Sequence, residues 1–245
     1  MSQKEIKDEP IVDLGSTISK SEKFFIENKK AISTAAIALV VIVGGWIFYN
    51  NVVVENASVE IRPDLWKAAE QFDNDSIAKA IKGSKKDFQG FEDIAEEYSN
   101  TNEGNIAKYY LAVSYFRQQK FDDALEQIES FDAKGEMFPH LKNGLMGDIY
   151  SEKNDPDQAI KKYIAAAQGA NNVLISPYYL KKAAILCEQL GDVKKDAAKY
   201  EEAAKYYEEI VTAYYNDPIK HGLEKQKIER ALGVVKAKAA LNGAK

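Results

Sequence analysis

Few side chains in this sequence are equipped for bond chemistry. There is one cysteine, Cys187, and there are two histidines, His140 and His221, far apart along the chain. A single cysteine excludes an intrachain disulfide framework and any multi-cysteine zinc site. Neither histidine has a cysteine or acid cluster at metal-ligand spacing. Adjacent acids such as Glu96-Glu97 and Glu201-Glu202 diverge on a helix, so they read as solvated faces and not as a general acid/base pair. Gly83 and Gly90 flank the string SKKDFQ, but no Lys-Ser or Lys-Thr follows to make a phosphate loop. Dinucleotide-binding, zinc-protease and nucleophile-elbow motifs are missing from the sequence as well. The expectation is a non-enzyme with no cofactor and no metal. Asn56-Ala57-Ser58 and Asp75-Ser76-Ile77 match short glycosylation triplets that carry little weight on their own.

Composition limits the partners. The 245 residues carry 33 Lys+Arg against 38 Asp+Glu, net −5. An acidic chain is poorly suited to duplex nucleic acid, where affinity comes from neutralised phosphates, so no nucleic-acid partner is expected. The charge is also uneven. Residues 1–30 hold six Lys and six acids, and residues 31–49 (AISTAAIALVVIVGGWIFY) hold none. Those 19 residues, helical, come close to the ~30 Å hydrocarbon core of a bilayer. Trp46 and Tyr49 lie at one end, where amphipathic rings favour the headgroup layer, and Lys29 and Lys30 close the other. No small-residue cleavage site follows. The stretch bounded by Ala31 and Tyr49 is therefore read as an uncleaved anchor. Lys20, Lys23, Lys29 and Lys30 precede it, and only Arg62 and Lys67 lie within the 20 residues after it. This bias predicts a cytoplasmic N-terminus and an exported C-terminal part. The leader is residues 1–30, with Ser21 as a candidate helix cap, and residues 50–62 form a connector that can be helical.

The elements that would position any binding surface lie beyond Pro63. That region is rich in Ala, Glu, Lys and Tyr, with apolar residues spaced three and four apart, the signature of amphipathic helices. Thirteen of the 14 tyrosines fall between Tyr98 and Tyr215. Three passages align, near 104–135, 139–172 and 177–216. Gly147 follows Ala112 by 35 residues, and Ala159 follows Ala124 by 35. Ala203 follows Ala159 by 44, which places an insertion of about seven residues near Asp192 to Ala198. Small residues at these positions let two helices approach closely, with Tyr115, Phe121 and Ile128 filling the space beside them. Cys187 takes the place of Tyr115 and Tyr150 as a small core residue. Asp155-Pro156 and Asp217-Pro218 have the form of cap and first-turn pairs, and Pro139 and Pro177 are expected just before helices. A degenerate repeat spans 63–100, with Trp66, Ala69 and Phe72 on its first helix, a break at Asp73-Asn74-Asp75-Ser76, and Phe91, Ile94 and Tyr98 on its second-helix face.

These residues resemble the tetratricopeptide repeat (TPR) family, whose unit of about 34 residues is a pair of antiparallel helices. The expected fold is thus all-α: one N-terminal transmembrane helix followed by a TPR-type helical repeat solenoid over 63–218. Residues 219–245 carry seven basic residues and two acids. They are expected to form a basic C-terminal capping helix, with Leu223, Ile228, Leu232 and Val235 on its apolar face.

The arrangement over nearly the whole chain also resembles the TPR-like ancillary subunits of the SecYEG translocon. The stretch FEDIAEEYSNTNEGNIAKYYLAVSYFRQQKFDDALE, residues 91–126, is most similar to versions from the Bacteroidetes. The resemblance implies a bacterial inner-membrane protein with a single span and a periplasmic repeat domain. Its implied partners are the translocon, a membrane-anchored prolyl isomerase-like chaperone and nascent exported chains. The alternative reading is an envelope TPR coordinator of cell-wall or envelope-assembly enzymes. In TPR folds the first helices line the concave face, so the analogy selects Ile106, Tyr109, Val113 and Phe116 in the first aligned repeat. It selects Leu141, Asp148 and Ser151 in the second, and Tyr178, Lys181, Ile185 and Glu188 in the third. For Tyr109 and Phe116 a second reading stands beside this one, in which the segment from Trp66 to Ile94 covers both as core.

Overall fold

The computed structural model describes residues 22–243, apart from Lys85, residues 169–171 and Asp217, and the backbone alone of residues 218–221. Residues 1–21 of the leader, Ser21 with its capping role, Asp217 as a cap and the side chain of His221 lie outside the described residues. The chain divides into two units, Met1–Asn56 and Ala57–Lys245.

The first unit is built on α1 (Lys29–Phe48), followed by a π-type turn, Tyr49–Val54. None of the α1 residues is buried. An 18-residue window of mean hydropathy 2.3, with 0% of it buried, makes this stretch long and apolar enough to cross a membrane.

The second unit is helical, with one isolated bridge, Ser84 to Phe88, as the extended pairing among its described residues. Its helices are α2 (Glu55–Asp73), α3 (Ile77–Lys82), α4 (Phe91–Glu97), α5 (Asn102–Arg117) and α6 (Phe121–Ser130). They continue as α7 (Phe138–Glu152), α8 (Pro156–Ala167), α9 (Ile175–Lys194), α10 (Ala197–Glu209) and α11 (Pro218–Gly243). Ser58 and Ile61, both at 3% exposure, belong to its core, so this unit takes in residues ahead of Pro63, which itself sits inside α2.

One turn recurs four times. Asp75, Gln119, Asn154 and Lys195 each adopt the left-handed conformation, with φ of 57°, 60°, 56° and 54°. Each stands two residues before the next helix. The following N–H, of Ser76, Lys120, Asp155 or Asp196, donates to a carbonyl five residues back at 2.8, 2.9, 2.9 and 3.3 Å. This closes the last turn of the first helix and reverses the chain. Each hairpin carries a small residue at matching places on its two helices, Ala68 and Ala80, Ala112 and Ala124, Gly147 and Ala159, Ala184 and Ala203, all buried.

The first and fourth hairpins depart from the regular length. In the first, the second helix is α3, which carries Ala80 where α6 carries Ala124. Phe91 and Ile94, expected on that helix, instead lie on α4 beyond a short loop and pack with Leu111 of α5. The loop turns at Gly83, where φ is +68° and a Cβ would strike the Phe88–Gly90 backbone, so only glycine fits. In the fourth hairpin the insertion adds about one helical turn to each helix. The first helix α9 has 20 residues against 16 in α5 and 15 in α7. Ala203 stands six residues into α10, whereas Ala124 and Ala159 stand three into theirs. Gly191 in the added turn lets Tyr200 lie against it, and the Tyr200 hydroxyl donates to Asp192 Oδ1 at 2.9 Å.

Asp155 caps α8, accepting from the Gln158 N–H at 3.2 Å. Pro139 and Pro177 fall within the first turns of α7 and α9, where the missing N–H costs nothing, so these helices begin at Phe138 and Ile175, ahead of the prolines expected to precede them. Three core clusters succeed one another along the chain, carried by α2–α5, by α5–α7 and by α8–α11. In α11, Ile228 and Val235 are buried and Leu232 is packed against the third cluster, but Leu223 is 76% exposed because it lies on the opposite face.

Candidate protein-binding groove

The first helices of successive hairpins bring matching positions together. Relative to its crossing alanine, Ala68, α2 offers Arg62, Leu65, Trp66 and Ala69. Relative to Ala112, α5 offers Ile106, Tyr109, Tyr110 and Val113 at the same offsets. All but Val113 line one cavity of about 360 Å³, together with Glu103 and with Phe138 from the start of α7. The lining is almost wholly apolar. Tyr110 is stacked on Phe91, with centroids 5.0 Å apart, and meets Phe72 edge-on at 5.4 Å, which fixes the floor. Tyr109 leans on Phe131 at 5.5 Å and Phe138 at 6.4 Å. Trp66 stays 71% exposed at the mouth. Arg62 Nε donates to Glu103 Oε1 at 2.9 Å. Burial pushes the Glu103 carboxyl up, but the Ser58 and Arg62 bonds outweigh it and hold the group below the usual range, so it stays ionised beside the cavity.

The expected groove residues therefore do not share one surface. Ile106 and Tyr109 line the cavity. Val113 is half-buried between the first two core clusters, and Phe116 packs on Phe121 at 5.9 Å. Leu141 and Ser151 are half-buried on α7. Asp148 ties the third hairpin to the fourth: its Oδ1 accepts from the Tyr163 hydroxyl and from Lys182 Nζ, each at 2.6 Å. The Lys182 ammonium also lies over the rings of Tyr178 and Tyr163, at 4.9 and 5.3 Å. Tyr178, Lys181 and Ile185 face solvent, and Glu188 accepts from Lys238 of α11 at 2.8 Å. The cavity residues that sequence reasoning missed are mainly Arg62, Leu65, Trp66, Tyr110 and Phe138. The 44-residue offset from Ala68 to Ala112 was the signal that would have found the first four.

The remaining reactive groups are occupied with packing. Cys187 is fully buried, and desolvation pushes its thiol up to about 12. His140 is buried, with Nδ1 2.8 Å from the Ala166 carbonyl oxygen. Among the described residues no group of three His, Cys, Asp or Glu side chains stands close enough to hold a metal ion.

No curated protein and no solved structure matches the chain. Domains of the repeat type generally carry protein–protein contacts, which suits a surface with an aromatic and apolar cavity. Residues 62–181 match the family model of the tetratricopeptide repeat-like domain, and three of the four recurring turns fall inside that stretch, so the chain carries a TPR-like domain there.

Proposed function

We propose that this chain is a membrane-anchored TPR scaffold that holds apolar segments of partner polypeptides in the cavity between α2, α5 and α7. The observation that carries the reading is the set of aromatic walls around Trp66, which keeps most of its indole in water at the mouth. An apolar surface of this kind gains free energy when a partner side chain displaces water from it, ~25 cal/mol per Å². The uncharged run of residues 31–49 supports anchoring in a bacterial inner membrane, and the Lys excess before it supports a cytoplasmic N-terminus with the repeat domain in the periplasm. The resemblance of residues 91–126 to ancillary translocon subunits supports the finer assignment. In that assignment the scaffold sits beside SecYEG with a prolyl isomerase-like chaperone and hands over newly exported chains. It does so by contact, without catalysis.

The test places a photo-crosslinking amino acid at position 66 of the full chain in native membranes. Adducts with translocon subunits or exported chains are the expected result. Adducts with wall-synthesis enzymes instead would replace the hand-over role with envelope coordination. A periplasm-only reporter fused after Lys245 should be active, and activity of a cytoplasm-only reporter there would overturn the orientation and the role together.

A further inference from the structure

Helix α11 uses one face within the domain and leaves the opposite face to solvent. Its inner face buries Ile228 and Val235, and Lys238 reaches Glu188 at 2.8 Å and Asp192 at 2.9 Å on α9. Lys236 pairs with Glu208 of α10 at 3.5 Å. The outer face reads Leu223, Lys227, Arg230, Val234, Ala237, Leu241, with alternating steps of four and three. That is the seven-residue seam along which two helices pack side by side. Leu223, Val234 and Leu241 are 76, 46 and 73% exposed. Beside the seam, a Cβ built on Gly233 would meet nothing within 4 Å, and Ala237 and Ala240 add further small residues suited to close helix approach. The hairpins of this unit bury small residues on both of their helices, yet no described element covers this seam.

We propose that the outer face of α11 docks an acidic amphipathic helix of a partner protein, laid along the seam from Leu223 to Leu241. Charge selects the occupant. Lys227 and Arg230 stand mid-seam; Lys227 has an ion pair only with Glu224, at 2.6 Å, and Arg230 has none among the described residues. A partner helix with acids opposite these two and apolar residues at either end satisfies both cations. A second copy of α11 does not, because the helix carries six Lys or Arg against two Glu and would repel itself. A lipid surface favours a broad apolar face with interfacial aromatics, and this seam has neither.

The chain itself supplies a probe. The second helix α6 holds Asp122, Asp123, Glu126 and Glu129 beside Phe121, Leu125 and Ile128. A labelled peptide copying residues 120–131 is titrated by anisotropy against the full chain in nanodiscs of neutral lipid. A control peptide has its four acids replaced by Lys. The acidic peptide should bind saturably, more tightly than the control, and weaken with salt. Lys227→Glu with Arg230→Glu should cost it about tenfold in affinity, while thermal melting stays unchanged because both positions are exposed. Trp66→Ala should leave this binding alone, which separates it from the cavity described above. Equal binding of the two peptides, or indifference to the charge reversal, overturns the proposal. So does a sedimentation result in which Leu241→Lys dissolves a dimer of the chain. Capture of anionic vesicles that the reversal abolishes, with no peptide binding, assigns the face to lipid and also overturns it.

Discussion

Two glycine-to-alanine substitutions separate the packing of the hairpins from simple helix propensity. Both Gly147 and Gly233 lie inside helices, so each replacement gains about 0.8–1 kcal/mol of intrinsic helix preference. At Gly233 a Cβ meets nothing within 4 Å, and the gain should appear in full. At Gly147 the Cβ lands 2.5 Å from Tyr163 Cδ1 and 2.6 Å from Cε1. Carbon atoms need about 3.5–4 Å, so the ring must shift by roughly 1 Å. It has little freedom to do so. Tyr163 is 4% exposed, lies parallel to Tyr179 with centroids 6.2 Å apart, and is tied by its hydroxyl to Asp148 at 2.6 Å. Overpacking of this kind costs about 1–3 kcal/mol, which leaves Gly147→Ala roughly neutral to 2 kcal/mol destabilising. The two variants should differ by roughly 1–3 kcal/mol, or about 2–12 °C in Tm for a unit of this size. The assay is circular dichroism melting of a chain spanning residues 57–245. In a Tyr163→Ala background the obstruction is gone, and Gly147→Ala should become stabilising, a coupling that a double-mutant cycle reads directly. If Gly147→Ala melts as high as Gly233→Ala in the unaltered background, the close approach of α7 and α8 is wrong.

Ala124→Leu or Ala159→Leu should lower stability by about 1–3 kcal/mol, since both alanines are fully buried at crossings; urea titration at fixed m value measures it. Cys187, with its thiol raised to about 12 by burial, should resist iodoacetamide at pH 8 in the folded chain and react promptly in denaturant. Reaction at equal rates in both states would place Cys187 at the surface. The Glu92 carboxyl is held below its usual value chiefly by the Lys82 hydrogen bond, with burial opposing and the Tyr115 hydroxyl adding to the effect. A depressed carboxyl stabilises the fold above its unfolded value of about 4.3 and loses that contribution as pH falls toward the folded value. Glu92→Gln should therefore flatten the stability profile below about pH 4.5, and an unchanged slope there would refute the assignment.

Much of this molecule is local and could be read from residue order. The uncharged run between Ala31 and Tyr49 determines an exposed apolar helix by composition alone. The 35-residue spacing of Ala112, Gly147, Ala124 and Ala159 determines two hairpins, because a helix crossing demands small residues wherever it recurs. The size of the insertion between Ala184 and Ala203 was also legible as a count, but not its form. Whether seven residues become a loop or two added helical turns depends on whether Gly191 and Tyr200 find each other across the hairpin, a contact between helices. The first repeat was misread for a similar reason. Phe91, Ile94 and Tyr98 have the right periodicity for a second helix, but it is Ala80 on α3, fully buried in the same cluster as Ala68, that takes the place, and only burial in the folded chain reveals this. The groove divides in the same way. The pattern placed Ile106, Tyr109, Val113 and Phe116 on one helix, where an α-helix spreads them around more than one side. Which of them meets Trp66 and Phe138 in a cavity, and which turns into a core cluster, is set by the angle at which α2 and α7 flank α5. That angle is a sum over many side-chain contacts distant in sequence, so the tertiary structure alone decides it.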